Sequence, residues 1–195
     1  MKDEPVFEYH AEEASVNITL PDNKNHEIHI KSGWSFGTGG HETTRLCIKA
    51  LEELFKTNKI NSVLDIGCGS GVLSIASSVL GADKVDGIDI DASIIDEAQS
   101  NASDNSLSGT INFSTKPLAE ISEQYQLVTA NILLKTIINL LKNISGNVAE
   151  DGYLITSGIK TKDLEMAVNS IEEAGFKMVK NYSENDWVAI LFNKQ

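Results

Sequence analysis

The chain has 195 residues, enough to bury one α/β core and too few for two. Asp and Glu number 28 against 16 Lys and Arg, a formal net charge of -12 that repels a bare phosphate backbone, so no nucleic acid is expected as partner; a basic protein or a small cation suits this surface better, although solubility alone accounts for such acidity. Cys47 and Cys68 form no C-x-x-C pair, Met1–Ala14 is acidic without an apolar core, and no apolar run reaches the roughly 18 residues of a membrane span, so no disulfide framework, zinc cluster, signal peptide or apolar anchor is expected and a reducing cytoplasm fits.

In chain order, Val16–Leu20 and Glu27–Ile30 alternate apolar and polar residues on either side of a polar turn at 21–25, the pattern of a small β-hairpin. His26 and His29 lie an odd number of positions apart and face opposite sides of a strand, which argues against joint metal ligation, and no metal site is expected. Residues 1–32 are thus expected to be an N-terminal extension, and 33–195 one domain. From residue 41 onward strands alternate with helical stretches, the mark of β-α-β units and a parallel sheet. Helices are expected near 41–57, 71–81, 92–105, 132–148 and 161–174. Between them lie candidate strands Ser62–Ile66, Lys84–Asp89, Ile111–Ser114, Gln126–Ala130 and Tyr153–Thr156, followed by Phe176–Val179 and Trp187–Phe192. The turn Glu184–Asp186 is too short for a crossover, so the last two strands are antiparallel. The expected fold is a doubly wound α/β domain, with a mainly parallel seven-stranded sheet ending in an antiparallel hairpin.

The segment Val63–Gly71 runs from a buried strand through glycines 67, 69 and 71 into a helix. Alternate glycines turn the backbone tightly and admit a bulky ligand against the main chain. The spacing is not G-x-G-x-x-G, since Val72 follows Gly71, and no lysine closes a phosphate loop, so a cofactor without a pyrophosphate is favoured. Asp65 precedes the turn, where its carboxylate either organises the loop or attracts a cofactor ammonium group through water. Asp89 ends the next strand, placed to accept hydrogen bonds from ribose hydroxyls; the helix N-cap role beside it falls to Asp91. Cys68 has nothing near it in sequence to activate a thiol and is taken as packing.

Asp65–Gly71 resembles the first motif of the class I S-adenosylmethionine-dependent methyltransferases, and Gly87–Asp91 their second. Ser35–Thr44, Thr129–Leu134, Gly152–Gly158 and Glu184–Val188 are similar to the enzymes that modify ribosomal protein L-eleven, the PrmA family, so the resemblance runs from about residue 33 onward. It implies a Rossmann-like methyltransferase fold with S-adenosylmethionine as cofactor. Gly37, Gly39 and Gly40 make a flexible segment from which Phe36 and His41 can close over the cofactor. Thr43 and Thr44 stand in the first turn of a helix, where hydroxyls either cap it or bind the cofactor's carboxylate; the resemblance gives the binding role to Thr44, with Gly67, Gly69, Asp65 and Asp89 completing the pocket.

Asn131 is expected at the end of the fourth parallel strand, where its amide oxygen and nearby carbonyls can accept hydrogen bonds from an amino group and aim the nitrogen at the methyl group, the catalytic role. The chain has Asn131-Ile-Leu-Leu134 where many amine and amide methyltransferases have Asn-Pro-Pro and an aromatic, which disfavours glutamine, adenine or DNA as acceptor. The expected reaction is methylation of a protein amino group, lysine ε-amino or N-terminal α-amino, with a basic large-subunit ribosomal protein as the leading substrate. Rivals are another protein such as electron-transfer flavoprotein β subunit, a small-molecule amine, and a non-catalytic cofactor-binding module. The resemblance implies a separate N-terminal recognition domain, whereas the roughly thirty residues before the glycine segment are expected to form at most the hairpin.

Overall fold

The computed structural model describes residues 12–32 and 39–195. β1 (Glu12–Thr19) and β2 (Asn25–Ser32) pair antiparallel with Val16 opposite Ile28 and Ala14 opposite Ile30. Period-two alternation turns Val16, Ile18, Ile28 and Ile30 inward and leaves Ser15, Asn17, Glu27 and His29 in solvent. Leu20, expected inside the strand, instead closes the turn, exchanging backbone hydrogen bonds with Lys24 and Asn23.

The remaining elements alternate as the pattern requires: α1 (Glu42–Thr57), β3 (Ser62–Ile66), α2 (Val72–Val79), β4 (Lys84–Ile88), α3 (Ala92–Asp104), β5 (Ile111–Ser114), β6 (Tyr125–Asn131), α4 (Leu134–Asn147), β7 (Val148–Lys160), α5 (Leu164–Glu173), β8 (Phe176–Glu184) and β9 (Trp187–Lys194). They build a seven-stranded sheet in the order β5-β4-β3-β6-β7-β9-β8. Strands β3 to β7 are parallel, and β9 runs antiparallel to both β7 and β8, giving the expected closing hairpin.

Successive residues of each central strand serve opposite faces. Val63, Leu127 and Ile155 pack with Leu51, Ile75 and Ala98 of α1, α2 and α3, and the hairpin adds Val16, Ile18, Ile28 and Ile30 to this same core. Leu64, Val128 and Leu154 pack with Ile137, Ile144 and Ile171 of α4 and α5. A sheet apolar on both faces accounts for the near-continuous hydrophobic runs of its strands. The order reverses between β3 and β6, and outside the carboxyl ends of strands at such a switch point a crevice opens.

Candidate active site at the switch point

The glycine turn begins where β3 ends. Gly67 and Cys68 both donate their N–H groups to the carbonyl of Ile88 at 2.8 and 3.0 Å, and Gly71 donates to Cys68 at 2.9 Å. Gly67 has φ +70°, and a Cβ there would fall 2.5 Å from Cγ2 of Ile132. The reason for glycine at this position therefore includes the residue following Asn131, in addition to room for a ligand.

Asp65 is almost fully buried; Ser74 Oγ and Thr129 Oγ1 each donate to its carboxylate at 2.7 Å. Burial raises its carboxyl above the usual range, against the pull of those two hydroxyls. Of its two possible roles, organising the turn is visible directly, because the side chain ties β3 to α2 and β6. Asp89 sits one residue beyond β4 and is half-buried; it accepts from the N–H of Gly69 at 3.2 Å and of Asp91 at 3.4 Å. Asp91 caps α3, accepting from Ser93 N–H at 2.9 Å.

The start of α1 differs from expectation. Its N-cap is His41, whose Nδ1 accepts from the N–H of Thr43 at 3.3 Å and lies 2.9 Å from Thr43 Oγ1. Thr44 caps nothing: it is fully buried, and its hydroxyl has no hydrogen-bond partner among the described residues. The His41 ring meets Trp187 of β9 edge to face at 5.1 Å, while Lys160 Nζ stands 3.6 Å from the centre of the Trp187 ring. Arg45 binds both Glu184 and the Gly40 carbonyl, and Asn185 donates to Glu42 at 2.9 Å, so the β8–β9 turn is fastened to the first turn of α1.

One cavity of about 810 Å³ brings together His41, Thr43, Thr44, Asp65, Gly67, Gly69, Asp89 and Asn131. Phe36 lies outside the described residues. Asn131 stands at the last position of β6, paired with Ser157 of β7. The next turn is crowded: a Cβ on Gly158, at φ +77°, would fall 2.3 Å from the carbonyl oxygen of Ile132. Sequence reasoning missed the apolar walls. Ile90 is fully exposed and Leu133 is 70% exposed, and Leu118, Leu140 and Trp187 are among the other apolar residues that line the cavity. Two signals were present: the strand-end rule points to 115–118 after β5, and Trp187 lies in a segment recognised without a role.

The cavity's chemistry suits S-adenosylmethionine: an acid beside the glycine turn suits ribose hydroxyls, a buried hydroxyl without a partner among the described residues suits a carboxylate, and exposed apolar side chains suit a flat base. Fold and site together define the class, an S-adenosylmethionine-dependent methyltransferase domain. The model of the family described as Ribosomal protein L11 methyltransferase (PrmA) matches residues 12–195, and the chain belongs to that family. The Ribosomal protein L11 methyltransferase of Dictyoglomus turgidum is 39% identical over 165 residues, covering 84% of this chain and 54% of that protein. Its counterpart in Bacillus pumilus is 37% identical over 168 residues, covering 86% and 53%. The chain thus spans about half the length of the curated relatives it matches. The crystal structure of ribosomal protein L11 methylase from Lactobacillus delbrueckii subsp. bulgaricus superposes with a TM-score of 0.75 at 29% identity, covering 80% of this chain and 81% of that one. The N-methyltransferase NodS of Bradyrhizobium japonicum, solved with S-adenosyl-L-homocysteine, shares the fold with a TM-score of 0.65 at 15% identity, covering 82% and 91%.

Proposed function

We propose that this chain transfers a methyl group from S-adenosylmethionine to an amino group of a protein, lysine ε-amino or N-terminal α-amino, and that a large-subunit ribosomal protein is the substrate. The observation that carries the reading is the placement of Asn131 in the same cavity as Asp89 and the hydroxyl of Thr44, which has no partner among the described residues. When bound, the cofactor supplies a methyl carbon already activated by its sulfonium. The work left to the protein is orientation and exclusion of water.

Thr44 would donate its hydroxyl to the cofactor's carboxylate, and Asp89 would accept from the ribose hydroxyls. Asp65, shielded beneath the turn, fixes the loop that both depend on. The Asn131 amide oxygen accepts an N–H of the incoming amine and directs the nitrogen lone pair. Leu133 and Trp187 give the methylene stem of a lysine an apolar wall, and an apolar wall disfavours the ammonium form. That matters because a free lysine, with a pKa of about 10.4, reaches the site protonated. Among the described residues the only carboxylates lining the cavity are Asp65, bonded to Ser74 and Thr129, and Asp89, bonded to the loop, while His41 spends Nδ1 on the Thr43 N–H; the reading gives the proton to solvent.

The test is incubation with labelled S-adenosylmethionine and a whole-cell lysate, with the modified protein identified by mass spectrometry. Label is expected on a lysine or N-terminal amine of a large-subunit ribosomal protein. Asn131→Ala is expected to lower turnover about 100-fold while leaving cofactor affinity nearly unchanged, because the interaction it removes is made to the acceptor amine, not to the cofactor, and orients that amine for transfer. Label on RNA, DNA or a small amine overturns the acceptor assignment, and loss of affinity without loss of turnover overturns the role of Asn131.

A further inference from the structure

The glycine turn is held from three sides. The Ile88 carbonyl receives Gly67 and Cys68, and Asp89 receives Gly69. The third hold comes from α3. Asn101, 1% exposed, donates from Nδ2 to the carbonyl of Ser70 at 2.9 Å. The same Nδ2 donates to the Lys31 carbonyl at 2.9 Å, and Oδ1 accepts the Lys31 N–H at 3.0 Å. One buried amide therefore bonds two segments far apart in sequence, the cofactor loop and strand β2 of the hairpin.

One turn further along α3, Asn105 repeats half of this arrangement. It accepts the N–H of His29 at 2.9 Å and donates to the His29 carbonyl at 2.6 Å, with no bond to the glycine loop. Alternate residues of β2 thus have their outward backbone groups satisfied by asparagine side chains, which stand in for a neighbouring strand. The helix also touches the loop directly, since a Cβ on Gly71 would lie 3.2 Å from that of Ala98.

We infer that Asn101 is a positioning residue for cofactor binding, joining the N-terminal hairpin to the glycine turn through the carbonyl of Ser70. The inference rests on the reading of the cavity as the S-adenosylmethionine site. A glycine-rich loop has little intrinsic preference for one shape, so the donor that satisfies a buried carbonyl within it selects that shape. Without that donor the ordering cost falls on ligand binding and appears as lost affinity, with the rate at saturation little changed. The hairpin becomes part of the cofactor site although it contributes no lining residue among those described.

Calorimetric titration of S-adenosylmethionine into the wild-type chain, Asn101→Ala and Asn105→Ala separates positioning from general anchoring. Asn101→Ala is expected to bind about tenfold more weakly, with turnover at saturating cofactor within about twofold of wild type. Asn105→Ala loosens the same hairpin and is expected to lower the melting temperature comparably, with cofactor affinity within about twofold of wild type. Equal affinity losses in the two variants, or none in either, overturn the inference. If Asn101→Ala does not fold, Asn101→Ser takes its place, and hydrogen exchange at the Gly69 and Gly71 amides is read without cofactor. Faster exchange in the serine variant than in Asn105→Ala is expected; equal protection overturns the inference. Failure of the wild-type chain to bind S-adenosylmethionine would strike the cofactor reading itself, while the exchange measurement would still decide whether Asn101 holds the loop.

Discussion

A fully buried hydroxyl with no hydrogen-bond partner among the described residues, as at Thr44, costs about 1 to 3 kcal/mol of stability. Valine has nearly the same shape without the polar atom. Thr44→Val is therefore expected to raise stability by about 1 kcal/mol and to weaken S-adenosylmethionine binding about tenfold, the first read by scanning calorimetry and the second by titration. A more stable protein with unchanged affinity would make Thr44 a packing residue. The sequence leaves Thr44 open between capping and binding, because both threonines stand where hydroxyls usually cap. The ring of His41 takes that duty, in line with capping or packing as the ordinary roles of a lone histidine. Asp65, Asp89 and Asn131 were legible as site candidates because each lies at or within one residue of the end of a strand in a short contiguous motif. Ile90 was not, since an isoleucine between two acids looks the same in sequence whether it faces core or solvent.

At the scale of elements, hydrophobic periodicity located each strand and α-helix of the described residues, and missed the short 3-10 turn at Leu118–Glu120; the other misses are at boundaries. Strand β7 runs over Val148–Lys160, much longer than the expected Tyr153–Thr156. Glu150, Asp151 and Gly152 interrupt the apolar pattern there, and Asp151 takes φ +58° to carry the bend. The far end of β7 has a tighter constraint: Gly158 lies under the backbone of Ile132. Gly158→Ala is expected to cost about 1 to 3 kcal/mol for its left-handed backbone and forced contact. The carbonyl it displaces belongs to the turn that carries Asn131, so turnover should fall further than cofactor affinity. Steady-state kinetics beside calorimetric titration check this, and an equal loss in both would place the damage in the cofactor pocket.

For the whole molecule, the net charge of -12 bears on encounter with a partner more than on the fold. With a basic protein as acceptor, KM is expected to rise several-fold between low salt and about 0.15 M ionic strength, with kcat unchanged. Initial rates across a potassium chloride series test this, and a flat KM would leave the acidity to solubility. The doubly wound architecture was readable because strand and helix patterns alternate, and the switch point follows from that alternation. What no local pattern discloses is pairing over long separations, such as the asparagine bonds of α3 to β2 or the fastening of the β8–β9 turn to α1. The sheet order has a further effect on how the chain acquires its structure. Strand β9 follows β8 in sequence yet lies inside it, between β7 and β8. During synthesis β8 leaves the ribosome before the strand it pairs with, and β7 meanwhile presents a bare edge to solvent. Trp187, on β9, is also the ring that His41 packs against, so a nascent chain halted before residue 187 holds its glycine turn but has neither a closed sheet nor a finished rim to its cavity.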